Sequence, residues 1–140
     1  MSLVVDASVA VKWFVEEPLS EEAEELFRHR DSLLAPEFLI VKVTNVAWKK
    51  AARGEIEPRQ AREIATVIGR SIPRFHSSAD LNERAQDIAL ALEHPVYDCL
   101  YLACAELAGA VLVTADQRLC TALVGGPYAG LARHLFAADA

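Results

Sequence analysis

Short apolar runs and longer amphipathic stretches alternate along the chain. Residues 3–5 and 110–113 are uniformly apolar over only a few positions, which is typical of strands buried on both faces of a sheet. Residues 33–35, closed by a proline, residues 72–75 and residues 132–135 are weaker strand candidates, the last of them at an edge. The pattern therefore predicts a sheet of short strands.

Between these runs the apolar residues recur at helical spacing, and residues that commonly begin or end helices flank them. Ser20 is a suitable N-cap, and Asp80 with Glu83 forms a capping-box pattern. Gly54 and Gly109 are suitable helix stops. The predicted helices cover residues 7–15, 37–53, 58–69, 80–92, 97–108 and 116–123. A further predicted helix begins at residue 20. Alternating strands and helices with few hairpin signals predict an α/β fold with a mostly parallel sheet flanked by helices.

The size and composition of the chain narrow the class of protein further. Its 140 residues are enough for a substantial core, so we predict a single domain over residues 1–140. No apolar run approaches the ~20 residues that span a bilayer, and the first residues do not resemble a signal peptide. The three cysteines lie in apolar helical contexts, which indicates core thiols in a reducing compartment. We therefore expect a cytoplasmic protein with no membrane segment.

The formal net charge of −6 is unevenly distributed. Residues 1–31 and 75–140 each hold eight acids and three bases, whereas residues 42–74 hold eight bases and three acids. The bases of this middle segment are Lys42, Lys49, Lys50, Arg53, Arg59, Arg62, Arg70 and Arg74. Such a segment is compatible with binding along a phosphate backbone and equally with solvated helix faces, so both interpretations stay open.

Three aspartates occupy positions from which an α/β sheet presents side chains to a common crevice. Asp6 follows the first apolar run, Asp116 follows the run that ends at residue 113, and Asp98 opens an apolar helical segment. Residues just beyond the carboxyl ends of parallel strands converge on one crevice. Clustered carboxylates repel each other unless a cation neutralises them, and hard oxygen ligands suit Mg²⁺ or Mn²⁺. The sequence thus predicts a metal-dependent enzyme that acts on phosphates, although each aspartate alone is equally compatible with a helix cap.

Other kinds of catalytic site find little support in the sequence. The chain has no glycine-rich phosphate loop and no Gly-x-Ser-x-Gly sequence. Its four histidines lack the spacing of zinc ligands, so we interpret all of them as surface or structural residues. Trp13 and Trp48 fall in apolar helical patterns that favour the core. A receiver domain of the response-regulator type would carry paired acids after its first strand, whereas Asp6 stands alone there.

Four segments together carry a resemblance that extends over the chain in order and spacing. They are residues 4–8 (VVDAS), 35–45 (APEFLIVKVTN), 97–103 (YDCLYLA) and 112–119 (LVTADQRL). Together they resemble the PIN domain, and in particular its VapC-type toxin branch. The resemblance implies a three-layer α/β/α sandwich with a central, mostly parallel sheet, and an endoribonuclease that depends on Mg²⁺ or Mn²⁺. It also implies a homodimer and a VapB-type antitoxin encoded beside the protein.

The resemblance also implies roles for individual residues. By position, Asp6, Asp98 and Asp116 match the acidic catalytic and metal-binding residues of the family. Thr114 matches a hydroxyl position near the last acid, and Asn45 matches a polar position of the site.

The chain departs from the family pattern at residue 42, where the family has a glutamate and this sequence has Lys42. Glu37 lies five residues earlier, about 140° away around a helix, so it is not an easy substitute, whereas Asn45 shares the face of residue 42. An ammonium among three carboxylates would neutralise part of the site and compete with a metal ion. A different helix register, with Lys42 pointing to solvent, is the remaining structural alternative.

Two functions therefore stay open at this point. One is a ribonuclease toxin that cleaves RNA, either fully or weakly with three acids. The other is a catalytically inactive PIN-like module that binds antitoxin or RNA, with Lys42 as the feature that favours it. Whether the lysine is natural, or was selected or engineered because an active toxin harms its host, also stays open.

The helices predicted at residues 7–15 and 38–52 carry nearly continuous apolar side chains. A helix with one buried side does not need that many, so we expect an apolar face that remains uncovered in one chain. A second copy of the chain or an antitoxin would cover that face.

Overall fold

The computed structural model describes residues 2–137, and its centre is a five-stranded sheet in which every neighbouring pair of strands is parallel. The strands are β1 (Leu3–Val5), β2 (Leu33–Pro36), β3 (Arg74–His76), β4 (Val111–Thr114) and β5 (Ala132–His134), in the order β3-β2-β1-β4-β5. The predicted strands are all present, and β5 is an edge strand as expected. Because β1 and β4 lie between neighbours and under helices, their short apolar runs match fully buried strands.

Within residues 2–137, seven α-helices connect and cover the strands. They are α1 (Ala7–Ala10), α2 (Ser20–Arg28), α3 (Phe38–Ala52), α4 (Pro58–Val67), α5 (Ser78–Leu92), α6 (Val96–Ala108) and α7 (Gln117–Leu123). Right-handed crossovers place α1 to α4 on one face of the sheet and α5 to α7 on the other. The packing agrees, because α1 contacts α3 and α3 contacts α4, whereas α6 contacts α5 and the three central strands. The molecule is therefore a three-layer α/β/α sandwich.

Two helix starts differ from those predicted. Ser20 is the first residue of α2 and not its cap, because its hydroxyl binds Glu17 and Val15 while Leu19 adopts a left-handed φ of 71° before it. Helix α5 begins at Ser78, and the hydroxyl of Ser77 caps it by accepting the Asp80 amide. In both places a hydrogen bond between a serine side chain and the backbone determines where the helix begins. Serine side chains commonly form such bonds near helix ends.

The predicted helix over residues 7–15 is shorter than expected. α1 ends after four residues and continues as a 3₁₀ turn, Val11–Trp13. At the end of this turn, Lys12 pairs with Glu17 at 2.9 Å, and Lys50 of α3 pairs with the same carboxylate at 3.1 Å. Burial raises the pKa of Glu17, but the two lysines outweigh it and hold the pKa below its ordinary value. This double ion pair ties the chain after α1 to α3.

The apolar side chains of α1 are buried, whereas those of α3 are divided among buried, half-buried and exposed positions, so the uncovered apolar face is smaller than the sequence pattern predicted. Val9, Leu39 and Val43 are completely buried. The sheet and the neighbouring helices surround α3 on more than one side, so it packs more apolar residues than a helix on a flat surface. Val41 and Trp48 are the large apolar side chains of α3 that stay exposed, at 65% and 63%.

Within residues 2–137, no single helix is both long and apolar enough to cross a membrane. α5 and α6 reach that length and composition only as a pair, across a bend of 117°.

Candidate active site

A cleft of about 290 Å³ opens at the carboxyl edge of the sheet, above β1 and β4. The chain proceeds from β1 to β2 and β3 on one side, and later returns to add β4 and β5 on the other, so the strand order reverses at this point. Such reversals leave a crevice between neighbouring crossover helices. The cleft is lined by Asp6, Ala7, Ser8, Phe38, Lys42, Pro95, Tyr97, Asp98, Tyr101 and Asp116. The fold thus brings the three predicted aspartates and Lys42 together.

Asp6 is the most enclosed of the three acids, with 6% of its surface exposed. β1 ends before it and α1 begins after it, so its side chain caps α1 by accepting the Val9 amide at 3.3 Å. The hydroxyls of Ser8 and Thr114 donate one hydrogen bond to each carboxylate oxygen. These three donors fix the orientation of the carboxylate within the cleft.

The environment of Asp6 also changes its acidity. Burial raises its pKa to about 6, although the hydrogen bonds from Ser8, Thr114 and Val9 oppose this, and the nearby charge of Asp98 raises it further. The metal-free site therefore disfavours the ionised form of this carboxylate. A cation in the cleft would reverse that preference, because an opposite charge favours ionisation.

Asp98 lies in the first turn of α6, and 37% of its side chain is exposed. Its Oδ2 is 2.7 Å from Nε2 of His94, which is partly buried in the bend between α5 and α6. The sequence analysis treated His94 as a surface or structural residue and missed this contact. The sequence carried no signal for it, because His94 precedes the helix that holds Asp98.

Asp116 caps α7 and completes the acidic side of the cleft. Its Oδ1 accepts the amides of Arg118 at 2.9 Å and Leu119 at 3.3 Å. The amide of Asp116 in turn donates to the hydroxyl of Thr114 at 3.0 Å. Thr114, which is completely buried, therefore links Asp6 and Asp116, in agreement with the hydroxyl position predicted for it.

The two remaining predicted residues lie on α3, with different outcomes. Lys42 is exposed to solvent and lines the cleft, and within residues 2–137 it forms no ion pair. Residue 42 thus faces the acids, and the different helix register is wrong. Asn45 lies one turn further along, in a neighbouring pocket. Glu37 is exposed next to the start of α3 and does not line the cleft.

Aromatic side chains also line the cleft, and the sequence pattern did not predict them. Tyr97 stacks on Phe38, whose ring meets Tyr101 edge-on. Tyr101 is 2% exposed, and its hydroxyl has no hydrogen-bond partner within residues 2–137. Burial, and then the charges of Asp6 and Asp98, raise the pKa of Tyr101, so the hydroxyl stays neutral.

The side chains of the cleft suit a hydrated divalent ion better than a directly bound one. Within residues 2–137, no three histidine, cysteine, aspartate or glutamate side chains are arranged as ligands of one metal ion. The donors present are carboxylate and hydroxyl oxygens, which hard cations prefer, and Mg²⁺ commonly keeps several of its waters. At about 30 Å³ for each water, the cleft has room for an ion with a partial water shell. The residues therefore fit a hydrated Mg²⁺ or Mn²⁺ ion.

Fold and cleft together define an α/β protein with an acidic pocket at the reversal point of a parallel sheet. The model of the PIN domain family matches residues 3–122. Ribonuclease VapC3 of Pyrobaculum aerophilum is 35% identical over 123 residues, which cover 85% of this chain and 92% of that protein. The chain therefore belongs to the PIN domain family, as the four sequence segments predicted.

Solved structures confirm the predicted fold. PAE2754 from Pyrobaculum aerophilum matches with a TM-score of 0.72 and 22% identity, over 97% of this chain and 90% of that one. A chain of a toxin–antitoxin complex from Klebsiella pneumoniae matches with a TM-score of 0.66 and 17% identity, over 91% of this chain and 94% of that one. Mycobacterium tuberculosis VapC20, a toxin that cleaves the sarcin–ricin loop, matches with a TM-score of 0.66 and 17% identity, over 86% of this chain and 95% of that one.

Proposed function

We propose that the chain is the toxin of a VapBC-type toxin–antitoxin pair and acts as an endoribonuclease. The observation that carries the proposal is the convergence of Asp6, Asp98 and Asp116 on one cleft of a PIN domain. The similarity to ribonuclease VapC3 extends over most of both chains and supports the same activity. Since the proposed substrate is RNA, we also propose that the protein acts in the cytoplasm.

We further propose that Asp6, Asp98 and Asp116 hold Mg²⁺ or Mn²⁺ and are the catalytic acids. Such an ion would lower the pKa of a bound water and polarise the phosphodiester. The protein's contribution is orientation: hydroxyls hold Asp6, His94 contacts Asp98, and helix amides hold Asp116. Because burial raises the pKa of Asp6, binding of a cation and ionisation of this carboxylate should favour each other.

The direct test is cleavage of RNA by the purified chain with Mg²⁺, with Mn²⁺ and with EDTA. We expect cleavage with either metal ion, loss of cleavage in EDTA, and loss in an Asp98→Asn variant that keeps the shape of the side chain. An Asp80→Asn variant is a matched control, because Asp80 is exposed and does not line the cleft. Cleavage that survives both EDTA and Asp98→Asn would contradict the proposed metal-dependent site.

We propose two protein partners, a VapB-type antitoxin encoded beside the gene and a second copy of the chain. The similarity in fold to a chain of a toxin–antitoxin complex supports the first. The exposed apolar side chains Val41 and Trp48 on α3 support a surface that a partner would cover, although a smaller one than the sequence predicted. For the chain without antitoxin, we expect light scattering to give twice the 15.3 kDa of one copy. A stable 15.3 kDa species at high concentration would rule out the homodimer.

Lys42 supports a second candidate function, a catalytically inactive PIN-like module that binds antitoxin or RNA. Its side chain lines the cleft with no acidic partner within residues 2–137, so its positive charge faces the site where a metal ion would bind. The two candidates differ in one measurement, which is RNA cleavage by the unchanged chain.

A further inference from the structure

We propose that the pocket beside the acidic cleft binds one unstacked nucleobase of a single-stranded RNA, with the exposed face of Tyr97 as its stacking surface. The proposal rests on the ribonuclease function proposed above and adds a subsite for the base next to the cleaved phosphodiester. It names Tyr97 as a residue that positions the substrate.

The position of the pocket connects it to the acids. It has a volume of about 190 Å³ and is lined by Phe38, Val41, Lys42, Asn45 and Tyr97. Three of these residues, Phe38, Lys42 and Tyr97, also line the acidic cleft, so the two hollows adjoin each other. A base held in the pocket therefore keeps its own phosphate at the acidic cleft.

The ring of Tyr97 is held in place and yet open on one side. Its centroid is 5.5 Å from that of Phe38, with 14° between the ring planes, so one face is covered. Phe38 is itself fixed by the edge-on contact with the buried Tyr101, at 6.2 Å and 64°. Tyr97 nevertheless remains 60% exposed, which leaves its other face accessible. A rigid ring with one free face is the element that binds bases in single-stranded nucleic acids.

The polar groups around the ring suit a nucleotide. Asn45 is exposed, and its amide can donate to and accept from the edge of a base. Lys42 lies between the pocket and the cleft, where its ammonium can pair with the phosphate that joins them. None of the five residues that line the pocket is acidic, although the chain as a whole carries a net charge of −6.

The first experiment measures RNA binding without turnover. A short, fluorescein-labelled single-stranded RNA is titrated with the full chain, with Ca²⁺ in place of Mg²⁺ and with the RNA checked for integrity afterwards. Tyr97→Leu, which removes the ring and keeps an apolar side chain, should weaken binding about fivefold or more, because stacking on one aromatic ring contributes at least that much. Tyr97→Phe keeps the ring and should bind as tightly as the unchanged chain.

A matched control separates stacking from loss of exposed apolar surface. Leu107 is also 60% exposed and lies in the same helix, ten residues and about 15 Å beyond Tyr97. Leu107→Ala should leave RNA binding unchanged. Because Tyr97 is largely exposed, thermal melts of its variants should match that of the unchanged chain, which shows that a loss of binding is not a loss of folding.

The second experiment locates the base. A series of the same RNA, with one base removed at each position in turn, should contain a position whose removal weakens binding by the unchanged chain and by Tyr97→Phe. The same removal should have no effect on Tyr97→Leu, because the ring and the base are then both absent from one contact. A series without such a position would overturn the subsite.

Failure of the subsite and failure of the proposed function give different results. If the unchanged chain binds and cleaves RNA, but Tyr97→Leu binds it equally well, the subsite alone is overturned. If the unchanged chain and its Lys42→Glu variant neither bind nor cleave RNA, the ribonuclease function is overturned and the subsite with it.

Discussion

A Lys42→Glu variant should bind Mg²⁺ or Mn²⁺ more tightly than the unchanged chain and should cleave RNA faster. The substitution replaces a cation that lines the acidic cleft with a carboxylate, a change of two charge units at a site meant for a divalent ion. Groups that ligate or surround a bound metal typically change its affinity by about 10- to 100-fold, and we expect an increase within that range. Metal affinity and cleavage rate should rise together, because catalysis depends on the bound ion.

Two comparison variants make this result specific to residue 42. Lys49→Glu makes the same charge change seven residues along the same helix, at an exposed lysine outside the cleft, and should leave metal affinity unchanged. Lys42→Gln removes the cation without adding a ligand, so it should give an intermediate affinity. Calorimetric metal titration and a cleavage assay, run side by side, provide both measurements, and growth inhibition on expression should follow the same order.

The same series separates the two candidate functions. An inactive unchanged chain together with an active Lys42→Glu variant would identify the protein as a binding module derived from a nuclease. Activity in both, raised by the substitution, would identify a weakened ribonuclease toxin. Equal activity in both would mean that residue 42 takes no part in the chemistry, despite its place in the cleft.

An Asp6→Asn variant should lose metal-dependent cleavage while its metal-free fold becomes more stable. Asn keeps one oxygen that accepts from the Val9 amide and the Ser8 hydroxyl, so α1 keeps its cap. Its NH2 group can donate to the Thr114 oxygen, which itself donates to Asp6 in the unchanged chain. The substitution removes a buried carboxyl group whose pKa is raised from 3.8 to about 6, and with it the buried negative charge. That difference corresponds to ~3 kcal/mol, and we expect about 1–3 kcal/mol of added stability near pH 8 in EDTA.

The pH dependence gives a second signature of the same change. Because the folded-state pKa of Asp6 is raised, the folded chain holds this proton between about pH 3.8 and 6, where the unfolded chain has released it. The contribution of Asp6 to stability is therefore full below this window and is lost as pH rises through it. Denaturant unfolding across this range should show that fall in the unchanged chain and not in Asp6→Asn. A variant less stable than the unchanged chain at pH 8 would mean that Asp6 is structural.

The sheet could be predicted from the sequence because its central strands are buried on both faces. The segments that form β1 and β4 are short apolar runs, a pattern typical of strands buried on both faces of a parallel sheet. Helix starts were less predictable, since the hydroxyls of Ser20 and Ser77 choose between several nearby backbone partners. The exposure of α3 was overestimated because a pattern of apolar residues does not say how many neighbours a helix has.

The acids of the site could be predicted, but the residues around them could not. Asp6 and Asp116 follow strands whose carboxyl ends must meet, so topology alone brings them together. Tyr97 lines the cleft from the first turn of α6, and His94 contacts Asp98 from the bend before that helix. No periodicity shows which way this helix end points. The hydroxyl of Ser8 is equally inconspicuous, since a serine three residues after a strand is usually only a turn residue.

The hydrogen bond between Thr114 and Asp6 joins residues that are 108 positions apart, and the one between Ala115 and Ser8 spans 107. Neither contact exists until β4 has been synthesised and has paired with β1. Ribosomes add about 5–20 residues each second, so Asp116 is synthesised at least several seconds after Asp6. A nascent chain of the proposed ribonuclease therefore cannot assemble its site, and so cannot cut RNA, before β4 and Asp116 have left the ribosome.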